Sequence, residues 1–121
     1  ELGLEEERTS AMMQEALKEA GFSIDSGVAG MKTAFKASFG NGSPKIALLA
    51  EMDALPGIGH GCGHNVAGMA SVGAGIALAR TLSSRLKPGE GTILVLATFF
   101  VVLNLVVDVL QTALDPRIER S

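Results

Sequence analysis

Tryptophan and tyrosine are missing from these 121 residues, and cysteine occurs once. A lone thiol cannot close an internal disulfide, so nothing calls for an oxidising compartment and a cytoplasmic setting is the default expectation. Without indole or phenol rings the common stacking platforms for bases and sugars are absent. No charge sign dominates either. Thirteen acids and ten bases are intermixed for a net charge of −3, which leaves no nucleic-acid footprint and no attraction to an anionic membrane surface. The chain opens on Glu1, with no basic segment and apolar core of a signal peptide, and so reads as an internal start, either of a fragment or of a processed precursor. What is present is a composition 47% apolar and 19% charged, which excludes disorder and suits one packed domain with a modest core.

Punctuation by glycine and proline divides the chain. Leu4 to Ala20 reads as a helix, with Glu5, Glu6 and Glu7 in its first turn and Gly21 at its C-terminal cap. Short strands are expected at Phe22–Asp25 and Thr33–Phe39, with a strong turn at 40–44. Lys45 to Glu51 is apolar on both faces, the pattern of a central strand. Asn65 to Ser83 reads as a helix rich in glycine and alanine. Each interior glycine costs it about 1 kcal/mol, which close approach to a sheet can offset. Thr92 to Thr98 is a fourth strand, and strand, helix, strand in this order predicts a parallel crossover in an α/β fold. Ile93 to Val107 is apolar except for Thr98 and Asn104. Its 15 residues fall short of the roughly 20 of a membrane span, so a buried strand running into an apolar helix is the favoured reading. An anchor over residues 93–114 is the weaker alternative.

Both histidines and the only cysteine fall within five positions, at His60, Cys62 and His64, among glycines 57, 59, 61 and 63. Thiolate and imidazole suit zinc, and also manganese or cobalt when carboxylates complete the shell. Spacing of two residues in an extended loop would point Cys62 and His64 the same way. Asp53, just past the third strand, can orient a ligand histidine from behind, and Glu51 two residues earlier shares its side. Other readings stay open. A lone cysteine is commonly a small buried hydrophobe, a lone histidine is commonly structural, and Asp53 can cap a turn. Cys62 as a nucleophile with His64 as base is weaker, because no third orienting residue is identifiable.

The run Ala50-Glu-Met-Asp-Ala-Leu-Pro-Gly-Ile-Gly-His-Gly-Cys-Gly-His-Asn resembles the signature of dinuclear-metal amidohydrolases and carboxypeptidases of the aminoacylase type. Within them it is most similar to the hippurate hydrolase, auxin-conjugate hydrolase, aminobenzoyl-glutamate hydrolase and aminoacylase-like dipeptidase subgroup. Glu1-Leu-Gly-Leu-Glu-Glu, Val28-Ala-Gly-Met-Lys-Thr-Ala-Phe and Gly91-Thr-Ile-Leu-Val-Leu-Ala-Thr extend the resemblance over residues 1 to about 98. It implies the N-terminal part of a mixed, largely parallel sheet with flanking helices, an incomplete hydrolase-like catalytic domain. By the same resemblance Cys62 and His64 are metal ligands, Asp53 is the acid that orients the site, and His60 lines it. Two divalent ions, zinc or manganese, are implied as cofactors. The implied substrate is an N-acyl or aminoacyl amino acid or a dipeptide, cleaved by metal-assisted hydrolysis of its amide. No nucleic-acid or membrane partner is expected, and the full-length protein is expected to self-associate.

The chain also departs from the pattern. The family continues its Gly-Thr strand into Pro-Ala-Glu-Glu, whose glutamates serve as general base and metal ligand. Here Thr98 is followed by Phe99-Phe-Val-Val-Leu-Asn, with no acid before Asp108, so residues 99–121 form a divergent apolar tail. Negligible hydrolysis by the chain alone is therefore expected. The alternatives are a non-catalytic product that binds or interferes with a full-length relative, and a small membrane-anchored protein.

Overall fold

The computed structural model describes residues 1–85, 87 and 89–97. The expectations for the apolar tail 99–121, and for a membrane anchor beyond residue 97, lie outside the described residues. The order of elements is α1 (Glu7–Glu19), β1 (Ser23–Ser26), β2 (Phe35–Gly40), β3 (Ser43–Ala50), α2 (His64–Ser83) and β4 (Glu90–Ala97). Short 3-10 turns at Val28–Gly30 and His60–Cys62 join them.

α1 starts three residues later than its composition predicts. Leu4 takes a left-handed backbone at φ 72°, and Glu6 is buried outside the helix, accepting bonds from the Leu4 amide at 2.9 Å and the Thr33 hydroxyl at 2.6 Å. Of the acids expected to meet the helix dipole, Glu6 thus fastens the entry chain instead, and only Glu7 lies in the first turn. The C-terminal end behaves as its glycine predicts. Gly21, at φ 89°, lets the chain turn while its amide reaches the Lys18 carbonyl and that of Phe22 the Leu17 carbonyl.

The strands form one mixed sheet in the order β1-β2-β4-β3. β1 and β2 are antiparallel, as are β2 and β4, while β3 and β4 run parallel with Leu48 opposite Val95. The expected crossover is therefore present, and among the described strands parallel pairing is confined to it. β3 is not central. β4 returns between β2 and β3, so β3 stands at the edge of the described sheet, with Ile46 and Leu49 exposed. Alternating polarity reports which faces of a strand meet apolar groups, but it carries no information about a neighbour along the hydrogen-bonding direction.

Phe35, Ala37, Ile93, Val95 and Ala97 project from one face of the sheet into a single core with Met13 and Leu17 of α1 and Val72 and Ala79 of α2. Each large side chain buried there contributes about 1.5–3 kcal/mol. α2 is long and apolar enough to cross a membrane by length and composition alone. In the fold, however, its Gly68, Val72, Gly75 and Ala79 are buried, and Ser71 donates to the Leu49 carbonyl of β3.

Candidate functional site

The C-terminal end of β3 meets the N-terminal end of α2, and the candidate residues divide between those two ends. Past Ala50 the chain keeps its strand-like alternation, so Met52 turns into the core while Glu51 and Asp53 share the other side. Asp53 is completely buried. α2 opens on His64, behind Gly63 at φ 83°, whose carbonyl accepts the Val66 and Ala67 amides.

The His64 ring lies between the two acids. Its Nδ1–H donates to Asp53 Oδ1 at 3.0 Å, and its Nε2 stands 3.4 Å from Glu51 Oε2. An ionised carboxylate can only accept, so a hydrogen bond to Asp53 needs a proton on Nδ1, while Nε2 is turned towards the Glu51 carboxylate. Among the described residues the second Asp53 oxygen, Oδ2, is buried with no hydrogen-bond partner. Such an orphan is uncommon, because desolvating an acceptor costs about 1–3 kcal/mol.

A strap from the chain start holds Asp53 in place. The Ala54 amide donates to the Glu1 carbonyl at 2.8 Å, and Leu2 bridges Ala54 in parallel register. The Glu1 carboxylate in turn accepts the Arg8 amide at 3.0 Å, the Thr9 amide at 2.8 Å and the Thr9 hydroxyl at 2.8 Å. It thereby caps α1 from seven residues upstream. These bonds, the Arg8 amide foremost, hold the Glu1 carboxyl down at about 2. Residue spacing gave no sign of this role for Glu1.

The rest of the motif is arranged differently. Leu55 and Gly59 exchange backbone bonds at 2.9 Å, and the chain then coils through the 3-10 turn His60–Cys62 rather than staying extended. His60 and Cys62 are both exposed. The structure thus brings Glu51, Asp53 and His64 together and leaves His60 and Cys62 on the turn. Among the described residues no group of three or more His, Cys, Asp or Glu side chains is placed to hold a metal ion. Donor chemistry fits a divalent cation in part: an imidazole nitrogen beside the Glu51 carboxylate and a buried Asp53 oxygen without a partner, with Cys62 two residues earlier in the chain, but no complete shell among the described residues. A cavity of about 650 Å³ between α1 and β1 is lined by none of these residues.

No protein-family model matches the chain. It is 39% identical to one of the subunits of the p-aminobenzoyl-glutamate hydrolase of Escherichia coli, over 68% of its own length and 21% of that protein. It is 37% identical to Xaa-Arg dipeptidase of Mus musculus over 57% of its length and 18% of that protein. The chain thus spans about a fifth of each curated relative. Among solved structures, the Bacillus subtilis protein YxeP, described as a dinuclear metal-binding peptidase of the M20 family, superposes with a TM-score of 0.66 at 26% identity. That match covers 80% of this chain and 30% of the other.

Proposed function

The chain belongs to the M20 family of dinuclear metal-binding peptidases, and from that membership we propose that residues 51–64 furnish one half of a metal-dependent amidohydrolase centre. In this reading Cys62 and His64 would hold metal, Asp53 fixes the tautomer and direction of His64, and Glu51 and His60 stand beside the ligands. The observation that carries it is the His64 Nδ1–Asp53 Oδ1 contact, which holds the ring from behind and turns Nε2, the nitrogen a metal would take, away from Asp53. A bound zinc or manganese ion would supply Lewis acidity to the scissile carbonyl. The residues present here bind and orient; they do not complete the reaction. No acid follows β4 before Asp108 and the chain has no third histidine, and among the described residues no further metal-ligating cluster stands at the site.

The substrate class proposed for the whole protein is an amide joining an acyl or aminoacyl group to an amino acid, in keeping with the names of both curated relatives. A second reading, a non-catalytic chain that pairs with a full-length relative, is favoured by the edge of β3, open among the described strands, and its exposed Ile46 and Leu49. Equilibrium dialysis against zinc and manganese tests the first. Retention of metal by the chain, and its loss in both Cys62→Ala and His64→Ala, is expected, together with no hydrolysis of N-acyl amino acids. If both variants retain metal as the parent chain does, these residues are not ligands; metal-dependent turnover by the chain would overturn its inactivity.

A further inference from the structure

We propose that Gly68 is a positioning residue for the site: its missing side chain sets how closely α2 seats on the end of β3, and thereby sets the His64–Asp53 bond. The value of that bond to a metal rests on the function proposed above; the bond itself does not. Gly68 is buried, and a Cβ built there would lie inside the van der Waals envelope of the Glu51 carbonyl oxygen, 3.1 Å from the Glu51 carbonyl carbon and 2.9 Å from Met13 Cε. Met13 can yield, because its end is flexible. The Glu51 carbonyl cannot yield without moving the strand end that carries Asp53.

The position of this contact gives it leverage. Gly68 lies four residues after His64, one turn along the same helix face, and Glu51 lies two residues before Asp53 on the same strand side. One backbone approach therefore stands between the two ends that carry the pair. Restoring ordinary contact around an added methyl needs α2 to shift by about 1–2 Å. The His64–Asp53 bond, at 3.0 Å, has only ~0.5 Å of slack before it ceases to be a hydrogen bond. The shift exceeds the slack. Ser71 secures the same seat one turn on, where its hydroxyl donates to the Leu49 carbonyl at 2.5 Å.

The other helical glycines supply the contrast. A Cβ at Gly75 would meet Val95 Cγ2 at 2.8 Å and Leu48 Cδ1 at 3.6 Å, side chains of the core rather than the backbone of the strand end that carries Asp53, and one at Gly73 would meet nothing within 4 Å. Gly68→Ala and Gly75→Ala are both expected to lower the melting temperature, but only the first disturbs His64.

The test is ¹H–¹⁵N spectroscopy of the His64 ring in the 121-residue chain without added metal, followed by zinc titration. Gly68→Ala is expected to lose the protected Nδ1–H resonance, while Gly75→Ala and Gly73→Ala keep it. Zinc affinity is expected to fall on the order of tenfold in Gly68→Ala alone. A retained Nδ1–H resonance in folded Gly68→Ala overturns the proposal. If that variant does not fold, Ser71→Ala decides: several-fold faster exchange of the Nδ1 proton supports the seat, and unchanged exchange overturns it. Should the parent chain bind no zinc, the metal reading fails while the resonance still decides the role of Gly68.

Discussion

His64 stands with its side chain only 14% exposed between two carboxylates, whereas Cys62, two residues earlier, lies open to solvent. Two candidate ligands from one short motif are thus held in different ways. The His64 ring is oriented by groups distant in sequence: Asp53 eleven residues away, the Glu1 strap beyond it, and the seat of α2 on β3. Among the described residues Cys62 is placed by the local bonds of the turn, Gly61 to Ile58 and Gly63 to His60. A histidine fixed in advance costs little to use, while a thiol on an open turn needs an ion or a further chain segment to order it. Preorganisation here is a property of individual side chains rather than of the motif.

The core change would break this contrast outright. Phe35 is completely buried on β2 in the core that α1 and α2 share, so Phe35→Ala should cost about 3–5 kcal/mol in urea denaturation. It should release the His64 arrangement while leaving the accessibility of Cys62 to a thiol reagent nearly unchanged. Comparing His64→Ala with Cys62→Ala sharpens the contrast. The first removes the partner of a buried carboxylate whose other oxygen is already orphaned, and should cost about 1–3 kcal/mol. The second removes an exposed thiol and should stay within about 0.5 kcal/mol. Equal losses in the same urea experiment would erase the distinction between the two residues.

The smallest effect concerns the strap. The Glu1 carboxyl is held at about 2 against an ordinary value of 4.5, so its ionised form favours the folded strap. That contribution is complete above 4.5 and is lost as pH falls from 4.5 towards 2. Amide exchange at Arg8 and Thr9 should quicken across this window in the parent chain. In Glu1→Gln it should be independent of pH there, and a window surviving the substitution would assign the titration to another group.

Much of the arrangement was legible from residue order. The helix after the motif begins at His64, within one residue of its expected start, because the glycines before it cannot continue a helix and the small apolar run after it can. Glu51 and Asp53 share a side because strand alternation has a period of two. The edge position of β3 was not legible, nor was the reach of Glu1 to the Arg8 and Thr9 amides, nor the choice of ring nitrogen by each acid. These depend on pairings between segments far apart in the chain.

The sequence by itself determined the α/β alternation, the crossover between β3 and β4, and the gathering of His60, Cys62 and His64 into one short motif, since all of these rest on local periodicity and spacing. Only the tertiary structure decided which of those side chains is buried and oriented. The insertion of β4 beside β3, the approach of Gly68 to the Glu51 carbonyl and the tie from Glu1 to Ala54 are contacts between separate segments. Their geometry is set by how closely backbones can pack, which no local pattern records.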